Sequence, residues 1–254
     1  VVSWLTPYRM GLRSIGSAFA NAGTMSIQII AVCACAGIIV GVISLTGVGA
    51  RFSNLLLGLA GFSQLLALFF AMLISILLGM GMPTTAAYAV AASVVAPGLV
   101  NLGIPALTAH FFVFYFAVVS AITPPVALAS YAAAGISGAN ALETSVASFK
   151  IGLAAFVVPF AFFYSSALLF QGSWLEVGMV MVSGIIGIYL LAAAVQGWMA
   201  GPLALWLRGL LVVGSLSMIS GGLITDLVGI ALAVVVFLAQ KRLITPDTLA
   251  RGSD

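Results

Sequence analysis

The chain has 254 residues, of which 63% are hydrophobic and only 5% are charged. A soluble domain carries about 25% charged residues, so this composition excludes a water-facing surface and indicates an integral membrane protein. The net charge of +3 comes from eight basic and five acidic residues, which lie at segment ends and are too few to bind nucleic acid.

Long, continuously apolar runs favour membrane-spanning helices over a β-barrel, whose strands alternate apolar and polar residues. The chain begins with Val1 rather than methionine, and we expect that the N-terminal part of a longer protein is missing. Cys33 and Cys35 are the two cysteines. Because residues two apart on a helix point in different directions, we expect inert packing thiols there.

The first part of the chain predicts an interfacial helix followed by two spans. Residues 8–22 mix two arginines with spaced apolar residues, which is typical of an interfacial helix or of the exit from an earlier span. Residues 24–46 predict the first span, and the polar, glycine-rich residues 44–51 predict a partly unwound segment or a plain loop. Residues 54–82 are the most hydrophobic run, long enough to cross the bilayer while tilted.

The middle of the chain predicts shorter helices. Residues 84–100 and 106–122 are apolar pieces on either side of Asn101, each near or below the length needed to cross a bilayer. Residues 126–139 predict a helix of small residues. Interrupted pieces of this length indicate half-helices and re-entrant hairpins.

The last part of the chain predicts further spans. Residues 142–150 predict an interfacial segment, and residues 151–170 predict a span. Another span runs from Trp174 to about Ala194, with Trp174 placed like an interfacial anchor. Two more apolar stretches then flank Asp226.

Threonine and proline interrupt the apolar runs twice. The first break is Gly79–Tyr88 (GMGMPTTAAY), and the second is Ser120–Val126 (SAITPPV). Backbone is opened at bilayer depth only where protein or a water-filled cavity satisfies it, and such places usually bind something. An ordinary proline kink in a packing helix is the alternative, but the flanking half-helices favour a binding site.

The prolines of the two breaks predict free backbone carbonyls. Proline has no N–H, and the helical donor for a carbonyl lies four residues further along the chain. Pro83 therefore leaves the carbonyl of Gly79 without its donor, and the Pro124–Pro125 pair does the same for Ser120 and Ala121. Such oxygens are hard ligands of the kind that a dehydrated Na⁺ needs.

Thr123 is the central residue of the second break. Its hydroxyl and that of Ser120 add two further oxygen ligands. Thr123 is also predicted to be the N-cap of the next helix, with Pro124 at its first position. The N-terminus of that helix carries partial positive charge and unpaired N–H groups, so it can face a substrate carboxylate.

Two other polar residues lie in apolar surroundings. His110 is either a proton relay or substrate contact, or an interfacial or loop histidine, and the second interpretation is favoured. Asp226 is either an intramembrane acid or the cap of a helix in a turn, and Thr225–Asp226 favours the cap. The sequence carries no Gly-x-Ser-x-Gly, no His-Glu-x-x-His, no phosphate loop and no paired carboxylates, so we expect no enzyme.

Three segments carry a family resemblance. Gly79–Tyr88, His110–Phe116 and Ser120–Ile136 closely resemble the large membrane subunit of tripartite ATP-independent periplasmic (TRAP) transporters, and Cys33–Gly49 is also similar to it. The similarity is to the C-terminal half of the fused-permease branch and covers about residues 9–170.

The resemblance implies an all-α, elevator-type transporter with re-entrant hairpins and broken helices, of which this chain is half of an inverted repeat. It implies import of a small organic acid, driven by Na⁺ as the coupling ion with no other cofactor. A periplasmic binding protein would hand over the substrate. The missing N-terminal half, with the small membrane subunit fused there, would be a second partner. The location would be the bacterial or archaeal cytoplasmic membrane.

The prolines and the resemblance together assign residues and regions. Residues 1–170 would form the transport region, and residues 171–254 would add C-terminal transmembrane helices. The expected Na⁺ ligands are Gly79, Ser120, Ala121 and Thr123. The expected substrate-binding residues are Thr84, Thr85, Thr123, Pro124 and Pro125. Other ion-coupled carriers, channels and a non-transporting membrane scaffold remain as alternative functions.

Overall fold

The structure is a computed structural model that describes residues 11–61, 63–199, 201–219 and 222–243. Apart from one isolated β-bridge between Trp198 and Pro202, the regular structure in these ranges is helical, which confirms the predicted all-α class. The α-helices are α1 Leu12–Thr46, α2 Val48–Ala60, α3 Gln64–Gly79, α4 Thr84–Asn101, α5 Ala106–Val119, α6 Leu128–Ser137, α7 Ala141–Gly152, α8 Val158–Tyr164, α9 Trp174–Gln196, α10 Leu205–Ile219 and α11 Leu223–Leu243.

Four helical segments of the described chain are long and apolar enough to cross a membrane. They are Leu12–Thr46, Thr84–Asn101, Ala141–Tyr164 and Trp174–Gln196. The shorter apolar helices of 10–17 residues include α2, α3, α6, α10 and the segment Ala106–Ile122, whereas α11 has 21 residues. The predicted short piece over residues 84–100 is α4, which has 18 residues and is one of the four segments of membrane length. The fold is that of an all-α membrane protein with several candidate spans.

The first helix is longer than the sequence pattern predicts. The predicted boundary between residues 8–22 and 24–46 is wrong for the described residues, because α1 runs without interruption from Leu12 to Thr46. No proline lies within it to end the helix. The predicted unwinding over residues 44–51 is reduced to Gly47, which has φ of 68° and joins α1 directly to α2.

The predicted single span over residues 54–82 is also wrong. The run is divided between α2, which ends at Ala60, and α3, which begins at Gln64. Ser63 precedes α3 with an extended backbone, φ of −166° and ψ of 130°, and Gly61 lowers helix propensity next to it. Gly61, Ser63 and Gln64 are a local signal of this interruption, which the high hydrophobicity of the run as a whole obscured.

The region around Pro159 differs from the predicted span over residues 151–170. After α7, residues Leu153–Val157 form a 3₁₀ helix, α8 follows, and Ser166–Leu169 form a second 3₁₀ helix. Proline lacks the N–H that would continue an α-helix through this point. The membrane-length segment is instead Ala141–Tyr164, so the predicted interfacial residues 142–150 form its first half.

A core shared by α2, α3, α4 and α5 holds the two breaks in place. Phe112 and Phe116 of α5 are fully buried in it, with ring centroids 4.9 Å apart, and Phe160 of α8 contacts both rings. Leu68 of α3 and Val95 of α4 belong to the same buried cluster. The helices that end at the breaks are therefore packed against one another along their length.

Helices α9, α10 and α11 form a second core around Leu207, Leu211 and Val236. The end of α9 is capped from α10: Nε and Nη2 of Arg208 each donate a hydrogen bond of 2.7 Å, to the carbonyls of Ala194 and Val195. These carbonyls would otherwise lack partners at the helix terminus. A charged donor gives strong hydrogen bonds of this kind, so Arg208 fixes the α9–α10 junction.

Candidate functional site

The first break has the predicted position. Helix α3 ends at Gly79, and α4 begins at Thr84, directly after Pro83. Between them Met80 has an extended backbone, and Gly81 has φ of 78°. This left-handed conformation favours glycine over residues with a side chain. The predicted interruption at Pro83 is therefore confirmed.

The second break also has the predicted position. Helix α5 ends at Val119, residues Ser120–Ile122 form one 3₁₀ turn, and the chain then leaves helical geometry until α6 begins at Leu128. The Pro124–Pro125 peptide bond is cis. Five residues between the 3₁₀ turn and α6 thus lie outside any helix.

The two breaks contact each other. A Cβ atom placed on Gly79 would lie 2.7 Å from Oγ of Ser120 and 3.2 Å from Cα of Ala117. A Cβ atom on Gly81 would lie 3.6 Å from Cγ1 of Val126. The end of α3 therefore lies directly against the end of α5, with Gly79 and Ser120, two of the predicted Na⁺ ligands, in contact.

Thr123 does not cap α6, so that prediction is wrong. Its backbone is extended, with φ of −97° and ψ of 124°, because the residue before a proline is pushed out of helical geometry. Helix α6 begins only at Leu128. The hydroxyl of Thr123 instead donates a 2.9 Å hydrogen bond to the carbonyl of Val119, the last residue of α5.

The backbone carbonyls of the second break differ from one another. The carbonyl of Ser120 accepts a 3.2 Å hydrogen bond from the N–H of Thr123, so the prediction that it is free is wrong. Ala121 is followed three and four residues later by prolines, and neither can donate to its carbonyl. The Ser120 hydroxyl donates to the carbonyl of Ala117 at 2.7 Å, which leaves its oxygen lone pairs available.

The pair Thr84 and Thr85 forms the exposed first turn of α4. Oγ1 of Thr85 lies 3.8 Å from Sγ of Cys33 on α1. Next to this contact, Ala36 of α1 packs in a buried cluster with Ala86 and Val90 of α4. Helix α1 thus contacts the start of α4 through Cys33 and Ala36. The spacing of the cysteines did not predict this contact.

The predicted site residues therefore fall into two groups. Gly79, Ser120, Ala121 and Thr123 lie where α3 meets α5, and Ser120 and Thr123 are buried there. Thr84 and Thr85 lie beside α1 instead. In the described part of the chain, no hydrogen bond joins these two threonines to Pro124 or Pro125.

Helix α6 contributes two residues that sequence reasoning did not select. Ser130 is buried, and its hydroxyl has no hydrogen-bond partner in the structure. Tyr131 donates a hydrogen bond from its hydroxyl to the carbonyl of Pro125, inside the second break. The signal for Ser130 was available, because Ala127, Ser130 and Ala134 have helical spacing and form one buried face.

His110 lies inside α5 rather than in a loop. Its Nδ1 is 2.9 Å from the hydroxyl of Tyr88 on α4, and the ring of Tyr88 also packs edge-on against Phe114 at 5.5 Å. The loop alternative is therefore wrong, whereas the interfacial position stays a prediction. The residue links α4 to α5 through Tyr88, which belongs to the first break.

The oxygen atoms at the breaks are carbonyls and hydroxyls, which carry no formal charge. The described residues contain no group of three His, Cys, Asp or Glu side chains that could hold a metal ion. Uncharged oxygens at interrupted helices are the ligand type that secondary transporters offer to coupling ions.

Comparison with known families gives one match. Residues 1–177 match the family model described as "Tripartite ATP-independent periplasmic transporter, DctM component". No curated protein and no solved structure matches the chain. The matched region contains α1 to α8 and both breaks, whose positions and mutual contact the structure defines. The chain therefore belongs to the DctM family, the large membrane component of tripartite ATP-independent periplasmic transporters.

Proposed function

We propose that the chain is the permease component of a Na⁺-coupled secondary transporter that imports a small organic acid. The contact between Gly79 and Ser120 supports this proposal most directly. It brings two interrupted helices together at one point, and paired broken helices are how secondary transporters build ion and substrate sites.

In this proposal the cation site lies where α3 meets α5. The carbonyls of Gly79 and Ala121 lose their helical donors to prolines, and the hydroxyl oxygens of Ser120 and Thr123 keep lone pairs. Ser120 and Thr123 are buried, so an ion bound there is shielded from water. A dehydrated Na⁺ needs several such oxygens to replace its hydration shell.

The substrate carboxylate is proposed to bind at the N-terminus of α4 and to the second break. The first N–H groups of α4 lack helical acceptors and carry partial positive charge. The hydroxyls of Thr84 and Thr85 lie in the same turn and can donate to an anion. Thr123, Pro124 and Pro125 are proposed to line the opposite side.

The proposed partners follow from the family. A periplasmic binding protein would deliver the organic acid, and a small membrane subunit would complete the permease in the cytoplasmic membrane. An elevator-type movement would carry the site between the two sides. The chemistry proposed for this chain is binding and release, with no covalent step.

Reconstitution tests the coupling. The permease and its partner subunits are placed in proteoliposomes, and uptake of a radiolabelled organic acid is measured with an inward Na⁺ gradient or with an equal K⁺ gradient. We expect accumulation only with Na⁺, abolished by a Na⁺ ionophore. Equal accumulation in K⁺ would overturn the proposed coupling, and so would accumulation that only a proton gradient supports.

Labelling of Cys33 tests whether α1 lines the substrate site. Because Sγ of Cys33 lies 3.8 Å from Oγ1 of Thr85, a maleimide attached there should block the start of α4. In the reconstituted transporter, with cysteines of other subunits replaced, we expect labelling of the Cys35→Ser variant to reduce uptake by at least about tenfold.

The second cysteine provides the control. Cys35 is exposed and lies two residues further along α1, so its side chain points away from Cys33. Uptake by the Cys33→Ser variant should survive labelling, and added organic acid should slow the labelling of Cys33. Equal sensitivity of both variants would show that α1 is not part of the site.

A further inference from the structure

A groove between α9 and α11 holds a carboxylate that the transport site does not use. Its volume is about 450 Å³. The walls are mostly apolar and include Trp174, Met179 and Ile186 of α9 and Ile230 of α11, and the two polar side chains that reach it are Ser183 and Asp226. Apart from the N-terminal end of α9, these residues lie beyond the DctM match, which ends at residue 177.

Asp226 does not cap α11, so the favoured sequence interpretation is wrong. It is the fourth residue of the helix, and its Oδ1 is buried without a hydrogen-bond partner. The side chain lies near the Ser183 hydroxyl, and both residues line the groove. That hydroxyl donates its single proton to the carbonyl of Val180 at 3.3 Å, so the proton is not available to Asp226.

The carboxylate lies at membrane depth. Helix α9 has 23 residues, or about 34 Å at 1.5 Å per residue, and Ser183 is about 14 Å from the Trp174 end. Ser183 is therefore near the middle of this candidate span. Ionisable side chains at this depth are costly unless they meet a partner. The residues that line the groove include no basic side chain.

We propose that this groove binds a hydrophobic ammonium compound. The ammonium group donates hydrogen bonds to the Asp226 carboxylate and to the Ser183 oxygen, since both side chains line the groove, and an apolar body lies along the wall formed by Met179, Ile186 and Ile230. An anionic ligand would be repelled by the carboxylate, and a neutral hydroxyl would offer it one hydrogen bond without the opposite charge that an ammonium group supplies.

The size of the groove favours a small amphiphile over a partner helix. Ligand sites for small molecules usually enclose about 300–1,000 Å³ and are mostly apolar with a few polar groups. A helix is about 10 Å across and rises 5.4 Å per turn, so the groove would hold only about one turn. An alkyl chain that ends in an ammonium group matches both the volume and the single charge.

Binding to the 254-residue chain in phosphatidylcholine nanodiscs tests the proposal. Radiolabelled dodecylammonium and dodecanol have the same chain length, and binding to empty nanodiscs is subtracted for each probe. We expect the wild-type chain to bind dodecylammonium at least about tenfold more tightly than dodecanol, because both head groups can donate a hydrogen bond to the carboxylate but only the ammonium group also carries the opposite charge.

Three variants locate the site. Asp226→Asn keeps the size of the side chain and should reduce the affinity ratio to about one, whereas Asp226→Glu should retain part of the preference. Glu143→Gln changes an exposed acid of α7 and should leave the ratio unchanged.

A wild-type ratio near one would overturn the proposal, since the groove would then accept any alkyl chain. A full preference in Asp226→Asn would overturn it equally. If Asp226→Asn does not fold, the wild-type ratio and Asp226→Glu still decide.

Discussion

Replacing Gly79 with alanine is expected to abolish transport, because the new Cβ would lie 2.7 Å from Oγ of Ser120 and 3.2 Å from Cα of Ala117. The serine side chain can rotate, but the backbone of α5 has to move to relieve the second contact. Overpacking of this kind costs about 1–3 kcal/mol. We expect α3 and α5 to separate at the breaks, and Na⁺-driven uptake to fall by at least about a hundredfold.

The measurement is the initial rate of uptake, with thermal melting of the purified protein as a measure of folding. Gly37→Ala on α1 is the matched control, because nothing lies within 4 Å of a Cβ at that position, and its uptake should be normal. The double variant Gly79→Ala/Ser120→Ala removes the 2.7 Å contact and should recover part of the melting temperature without restoring uptake. Unchanged uptake in Gly79→Ala would show that transport does not depend on this contact.

The two breaks were predictable because their cause is local. Proline lacks an N–H wherever it occurs, and at the breaks a second local feature adds to that loss: Gly81 with a positive φ precedes Pro83, and Pro124 and Pro125 are consecutive. Pro97 alone does not interrupt α4. The start of α4 at Thr84 follows from the same argument. The composition likewise suffices for the all-α membrane class, since no water-facing surface can be made from it.

The details that were not predicted depend on distant residues or on competing local bonds. Gly79 contacts Ser120 only because α3 and α5 pack together in the cluster that contains Leu68 and Phe112. No pattern in a single sequence indicates that contact. The position of Cys33 beside Thr85 depends in the same way on the register of α1 against α4. The carbonyl of Ser120 was predicted to be free because only α-helical donors were considered, whereas a 3₁₀ turn supplies the N–H of Thr123.

Removing the hydroxyl of Thr123 is expected to abolish Na⁺-driven uptake while membrane insertion stays intact. Thr123→Val keeps the shape of this buried side chain and Thr123→Ala shortens it, and both remove Oγ1. In either variant a proposed cation ligand is lost, and uptake at low Na⁺ should fall by at least about a hundredfold. Thr123→Ser retains the oxygen and should retain most of the activity. The initial rate is measured as a function of Na⁺ concentration.

The structure gives Thr123 a second role that this experiment has to separate from ion binding. Its Oγ1 donates to the carbonyl of Val119, and loss of a neutral hydrogen bond lowers stability by about 1 kcal/mol. Thr108→Val, at a buried threonine of α5, controls for a general loss of packing in the helix that precedes the second break. A residue that only stabilises the end of α5 would lower the melting temperature and leave the half-saturating Na⁺ concentration unchanged. A Na⁺ ligand must raise that concentration, so an unchanged value in Thr123→Val would remove Thr123 from the cation site.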